Sequence, residues 1–174
     1  MIAPQPFSKA RAGCQFCRKP ETSAGAHPYS RCETHNCATG ARAVNSTIRF
    51  FICGSALRGQ PDHANLNGAR FAGEARTAPC YRLHSVNDEH PAVYHVDQDG
   101  VSIDGELYEL TPEQHAALLR AEPPDLYEDT ILIDDGSLAR AMVYPRALVE
   151  ERGHPDISRH GGWAAYQRSR TKAS

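Results

Sequence analysis

Four cysteines fall in a pattern that suits a metal ion. Cys14 and Cys17 are separated by two residues and Cys32 and Cys37 by four, with His35 between the latter two. A two-residue gap lets two side chains grip one tetrahedral ion, and two such groups complete a structural zinc site. Cys14, Cys17 and Cys32 are expected to supply three ligands, with Cys37 as the fourth and His35 as its alternative. Four protein ligands leave no open position for chemistry, so the ion would act as scaffold. The intervening RKPETSAGAHPYSR is polar and turn-rich, a stretch that a metal can order and an apolar core cannot. A disordered tail with reduced thiols is the other reading. Arg11, Arg18, Lys19 and Arg31 surround the segment and make it a candidate contact for a protein partner.

The stretch IRFFICGSALRG, residues 48–59, holds a second signal. Ile48, Phe50 and Ile52 alternate with Arg49 and Phe51 as in a mostly buried strand, and the chain then enters a run of small residues. Small side chains let backbone N–H groups approach a ligand closely, although the same composition also serves a plain tight turn. A third signal is Glu122, which stands where a short helix must stop. Thr111 suits the N-cap, Pro112 the first helical position and Gln114 a capping box, while Pro123 and Pro124 forbid continuation. A carboxylate at the negative end of a helix ionises less readily, and burial adds to that effect. Both push Glu122 toward the range in which a carboxyl can give and take protons, the plain alternative being a helix end that faces water.

The elements that must position these groups read mostly as strands. GARFAGEART and CYRLHSV are expected to flank a turn near Ala78-Pro79, with AVYHV following. GVSIDGELYEL places Val101, Ile103, Gly105 and Leu107 on one face by period two. YEDTILIDDGSLARAMVYP predicts a hairpin across Asp135-Gly136, the pair a type I′ turn favours. The short helix buries Leu118 and Leu119, and GGWAAYQ predicts a closing helix with Trp163 and Tyr166 against the core. Neighbours in a strand face opposite ways, so Tyr81 or Tyr94 is a candidate to point inward and touch a ligand.

Bulk properties narrow the classes. A chain of 174 residues suggests one ordinary domain with an appendage: a Cys-rich segment, 1–46, and a main domain, 47–174. Net charge is −2, which disfavours a general nucleic-acid binder. The chain has no run of eighteen apolar residues and no signal-peptide core, so a cytoplasmic protein with no membrane contact is expected. Six cysteines there read as metal ligands or free thiols rather than disulfides. No Ser-His-Asp spacing or phosphate loop is present, and no organic cofactor is expected.

Together these features resemble the γ-glutamylcyclotransferase-like family. Its approximate Tyr-Gly-Ser-Asn-Leu motif is matched by Cys53-Gly54-Ser55-Ala56-Leu57, and its helix-closing glutamate, with a leucine four residues earlier, by Glu122 and Leu118. The chain is more similar still to the C-terminal domain of allophanate hydrolase. That domain's G-x-x-L-x-G-x-P is matched by Gly54, Leu57, Gly59 and Pro61, and its RTAP-x-YRL by Arg76 through Leu83. Its DI-x-x-x-GGW-x-x-Y runs here from Asp156 to Tyr166. The resemblance covers most of residues 48–168 and leaves the cysteine segment outside.

The resemblance implies an α+β fold: a small, mostly antiparallel β-barrel with a few short helices, here preceded by a zinc-knuckle segment. It implies that Gly54, Ser55, Ala56 and Leu57 hold a substrate carboxylate or carbonyl through backbone donors, beside Glu122 as general acid/base. Cys53 stands where the family usually has Tyr, Ala56 where it has Asn or His, and the allophanate-type domain generally lacks the glutamate. The implied activity is that of a lyase or acyltransferase on a small γ-glutamyl substrate. Glu122 would take a proton from the α-amine, the amine would attack the γ-carbonyl, and the proton would pass to the leaving amine, giving 5-oxoproline or a related lactam. Decarboxylation or amide cleavage of a small ureido compound is the variant. A non-catalytic, zinc-stabilised binding module is the alternative of a different class.

Overall fold

The computed structural model describes residues 47–172. Cys14, Cys17, Cys32, His35 and Cys37 lie outside the described residues, and the zinc expectation with them. The strands are β1 (Ile48–Ile52), β2 (Arg70–Arg76), β3 (Tyr81–Val86), β4 (His90–His95), β5 (Asp104–Leu110), β6 (Tyr127–Leu132) and β7 (Leu138–Val143). Three α-helices accompany them: α1 (Pro112–Ala121), α2 (Arg146–Arg152) and α3 (Trp163–Thr171). Short 3-10 turns cover Pro61–Leu66 and Ser158–His160.

Five strands form one sheet in the order β2-β5-β1-β7-β6, and β3 and β4 form a separate ribbon. β1 lies at the centre, antiparallel to β5 and parallel to β7. A central strand is covered on both faces, which is why Phe51 is as buried as its out-of-phase neighbour Phe50. The α+β class agrees with the sequence reading, but no closed barrel is present among the described residues. The ribbon is joined to the sheet side by the isolated bridge Tyr81–Val101 rather than by a continuous ladder, while the bridge Thr77–Ile133 links the residues that follow the edge strands β2 and β6. The bend expected near Ala78-Pro79 lies between β2 and β3, with the Cys80 N–H donating to the Ala78 carbonyl at 2.8 Å. The two strands do not pair with one another: β2 pairs with β5, and β3 pairs with β4.

The β6–β7 hairpin forms with Leu132 opposite Leu138. Its turn is not the expected type I′. Gly136 donates to the Ile133 carbonyl at 3.0 Å and is the one turn residue with positive φ, 82°. Asp134 and Asp135 are therefore the central residues, and Gly136 takes the left-handed position that closes a three-residue connection between Ile133 and Ser137. The Asp135 carboxylate accepts the Ser137 N–H at 2.8 Å, holding the turn with a side chain.

The core runs between the sheet and the elements packed on it, with Phe50, Leu83, Ile103, Leu110, Leu118 and Trp163 among its most buried members. Trp163 and Tyr166 do pack on one another, their ring centroids 5.6 Å apart. Gly105 fits its place in β5 because the Phe51 ring crosses it. A Cβ there would come within 2.3 Å of Phe51 Cζ.

Candidate active site

The strand β1 delivers the chain into a tight turn. Leu57 N–H donates to the Gly54 carbonyl at 3.1 Å, which makes Ser55 and Ala56 the central residues. The N–H groups of those two residues find no partner among the described residues. The Ser55 carbonyl accepts the Asp62 N–H at 3.0 Å, and His63 Nδ1 lies 3.1 Å from the Ala56 carbonyl, so the turn is tied to the following 3-10 segment through its acceptors. Its donors stay available. Gly54 has no room for a side chain: a Cβ would come within 2.8 Å of the Pro91 ring.

Glu122 reaches the same place from the other direction. The helix α1 starts as its sequence dictates, with Thr111 accepting the Gln114 N–H and the Gln114 side chain returning a bond to the Thr111 N–H at 2.9 Å. Its C-cap is Glu122, whose extended φ and ψ of −70° and 143° match what a following proline imposes. The carboxyl enters a cleft shared with Cys53, Gly54, Ser55, Ala56, His90 and Pro91. Apolar side chains of Ile52, Val93, Leu126 and Met142 complete the wall.

Burial, reinforced by the nearby Asp62 carboxylate, pushes the Glu122 pKa up to about 7. Its position at the C-terminal end of α1 acts in the same direction. No hydrogen bond or ion pair to this carboxyl occurs among the described residues. Near neutral pH the group is therefore divided between acid and carboxylate, the condition under which one side chain can both donate and accept a proton. The Cys53 thiol is the opposite case. Burial, with the Glu122 charge second, pushes its pKa up to about 12 and keeps it protonated. A nucleophilic role for Cys53 has no support.

The structure thus brings Gly54, Ser55 and Ala56 to Glu122. It does not bring the other candidates there. Leu57 is buried, with its N–H committed to the turn. Tyr81 is buried and its hydroxyl accepts the Leu132 N–H at 2.8 Å. Tyr94 stacks on His84 and places its hydroxyl 3.1 Å from His84 Nε2. Neither tyrosine lines the cleft. Two residues that the sequence did not single out, His90 and Pro91, do line it, at the start of β4. A proline at a strand's first positions signals the boundary, but nothing local says which wall it will face.

A second carboxylate missed from the sequence holds the end of the turn. Glu106 on β5 accepts the Arg58 N–H at 3.2 Å, Arg58 Nε at 2.8 Å and the Tyr108 hydroxyl at 2.7 Å. Burial pushes its pKa up, but the bonds from Arg58 and Tyr108 outweigh that and hold it below the usual carboxylate range. No group of His, Cys, Asp and Glu side chains among the described residues is arranged to hold a metal. Nor is any described helix long and apolar enough to cross a membrane.

Residues 48–168 match the family model of the allophanate hydrolase C-terminal domain. The chain belongs to that family. Among solved structures, a uropathogenic E. coli-specific protein is 33% identical, with a TM-score of 0.66 over 70% of this chain and 96% of that one. The allophanate hydrolase of Kluyveromyces lactis is 21% identical, with a TM-score of 0.66, and the match covers 71% of this chain and 21% of that one. The urea amidolyase of Saccharomyces cerevisiae is 22% identical over 129 residues, 70% of this chain. The chain spans only 7% of that curated relative's length. The K. lactis likeness shows the fold alone. The family match spans the sheet, the ribbon and the first part of α3, and the cysteine segment lies outside it.

Proposed function

We propose that this chain is an acid–base enzyme acting on a small ureido or amide compound. In this reading Glu122 carries the proton, and the Gly54–Ala56 turn holds the compound's carboxylate or carbonyl oxygen. The observation that carries it is the Glu122 carboxyl, raised to about 7 in a largely apolar cleft beside two unpaired backbone donors. Such donors act strongly on developing negative charge where water is excluded.

Membership of the allophanate hydrolase C-terminal family favours an N-carboxylated ureido compound. The protonated Glu122 gives its proton to the nitrogen as the bond from that nitrogen to the carboxylate carbon breaks. The bonding electrons stay on nitrogen, carbon dioxide leaves, and the Glu122 carboxylate regains a proton from water. A second reading is favoured by the match of Leu118 and Glu122 to the cyclotransferase pattern. There the carboxylate form takes a proton from an α-amine, the amine closes on the γ-carbonyl, and the proton goes to the departing amine.

The two readings require opposite forms of one group, so pH separates them. Decarboxylation through the acid form falls as pH rises through about 7, whereas cyclisation through the carboxylate rises over the same range. The experiment screens small ureido acids and γ-glutamyl amines for carbon dioxide, ammonia or lactam release, then repeats any hit with Glu122→Gln. Turnover is expected to drop roughly a hundred- to ten-thousand-fold. A hit that the variant does not slow removes Glu122 from the chemistry.

The N-terminal segment is assigned on spacing alone. Cys14, Cys17, Cys32 and either Cys37 or His35 are proposed to hold one structural zinc, with the basic residues around them available to a protein partner.

A further inference from the structure

We infer that Arg152 is a positioning residue for Glu122: it clamps Asp125, and the two prolines between Glu122 and Asp125 carry that constraint to the carboxyl in the cleft. The inference rests on the acid–base reading of Glu122 and adds what keeps the group in place. The Glu122 side chain accepts no bond among the described residues, so its position comes from the chain on either side. Before it stands α1, and after it stand Pro123, Pro124 and Asp125. Each proline fixes its own φ and restricts the residue before it to extended backbone, which makes the segment a stiff strut rather than a hinge. Glu122 follows this rule, with φ −70° and ψ 143°.

The strut ends at Asp125, whose φ is 74°, a left-handed conformation that a residue with a Cβ keeps only where its surroundings hold it. Arg152 supplies the hold. Asp125 Oδ2 accepts Arg152 Nη1 at 2.6 Å, and the same nitrogen donates to the Tyr144 hydroxyl at 2.7 Å. Both of Asp125's supports are rooted elsewhere in the fold. Tyr144 is fully buried, and its N–H donates to the Val93 carbonyl of β4 at 2.8 Å. Arg152 closes α2, which buries Val149. Leu126, next after the clamped residue, lines the cleft as Glu122 does. One ion pair thus fixes the stretch of wall from which the carboxyl projects.

The test follows Glu122 itself in the full chain, by the chemical shift of its side-chain carboxyl carbon against pH. The parent midpoint is expected near 7. Arg152→Met breaks the clamp, and a carboxyl released to water should then titrate about one pH unit or more closer to 4.5. The sign separates position from charge. Removing a cation and freeing the Asp125 carboxylate can only raise an acid's midpoint, so a fall reports lost position. A rise or no change overturns the inference. The double variant Pro123→Ala, Pro124→Ala loosens the strut, and adding Arg152→Met to it should shift the midpoint little further. An equal shift in both backgrounds overturns the route through the prolines. A second readout needs no carboxyl: in Glu122→Gln, the side-chain amide protons should exchange with solvent about tenfold faster once Arg152→Met is added. Unchanged exchange overturns the clamp. Neither measurement involves turnover. If Glu122→Gln leaves turnover unchanged while Arg152→Met speeds the exchange, the acid–base reading fails and the clamp stands. A slowed Glu122→Gln, with midpoint and exchange untouched by Arg152→Met, gives the converse.

Discussion

Glu106 and Glu122 are two glutamates drawn into one small domain and treated in opposite ways. Glu106 receives the Arg58 N–H, the Arg58 side chain and the Tyr108 hydroxyl, and its proton is held off. Glu122 receives no bond among the described residues, and its proton is held on. They stand on opposite flanks of one loop. Glu106 fixes the loop at Arg58, while Glu122 faces Gly54 through Ala56. A satisfied carboxylate anchors, and an unsatisfied one keeps a proton it can exchange, which is why the proposed chemistry is placed at Glu122 and not at Glu106.

The comparison breaks most visibly in turnover, where Glu122→Gln is expected to lose roughly a hundred- to ten-thousand-fold in kcat. Stability should move the other way. The Glu122 pKa is about 7 in the folded state against 4.5 for the free side chain, so the unfolded chain loses this proton first as pH rises. Stability from this group is full below 4.5 and falls across the interval to about 7. Urea unfolding of Glu122→Gln should therefore match the parent in acid and exceed it by up to about 3 kcal/mol in mild base. A parallel pair of curves would mean that Glu122 meets water in the folded protein.

Glu106→Ala should show the reverse slope. Its folded pKa is depressed, so its contribution is present above the free value of 4.5 and disappears as pH falls through the depressed value. The Arg58 head is about half exposed, with 46% of its side chain accessible, which moderates the loss to about 2 kcal/mol near neutral pH. A variant as stable as the parent would show that the turn is held by its own backbone bonds.

The smallest effect falls on Cys53, where removing the Glu122 charge makes the thiolate slightly easier to form while burial still dominates. Cys53 and Cys80 are both buried, so rapid alkylation of the native protein reads the other four cysteines of the six. With zinc in place Cys14, Cys17 and Cys32 should react slowly, Cys37 joining them where it and not His35 is the fourth ligand, and a chelator should release the protected thiols together. Four fast thiols before chelation would remove the metal.

Much of α1 was legible because its code is local. Thr111, Pro112 and Gln114 set the start within four residues, and Pro123 sets the stop, so Glu122 could be placed at the helix end from sequence. Gly54 and Ser55 were legible as a small-residue turn for the same reason. The partners were not. Arg58 and Glu106 are 48 residues apart, and neither stretch carries a mark of the other. The pairing of β2 with β5 is hidden in the same way, since a strand's pattern names its buried face and not its neighbour. Tyr81 had the right polarity for a ligand contact, yet its hydroxyl serves the Leu132 backbone, which only the bridge between ribbon and sheet could reveal.

The parallel contact between β1 and β7 has a consequence for how the site comes into being. Phe50 aligns with Arg140 and Phe51 with Ala141, about ninety residues further along the chain. The turn at Gly54 grows directly from β1, so its lasting position waits on a strand synthesised much later. Contacts this distant in sequence form slowly, because the loop must close before the pairing rewards it. On the ribosome, at about 5–20 residues per second, several seconds separate the two strands. During that interval β1 is an apolar strand without one of its neighbours. The cleft at Glu122 is thus among the last parts of the domain to mature, and a chain cut short before β7 would have the Gly-Ser turn and the glutamate without a fixed geometry between them.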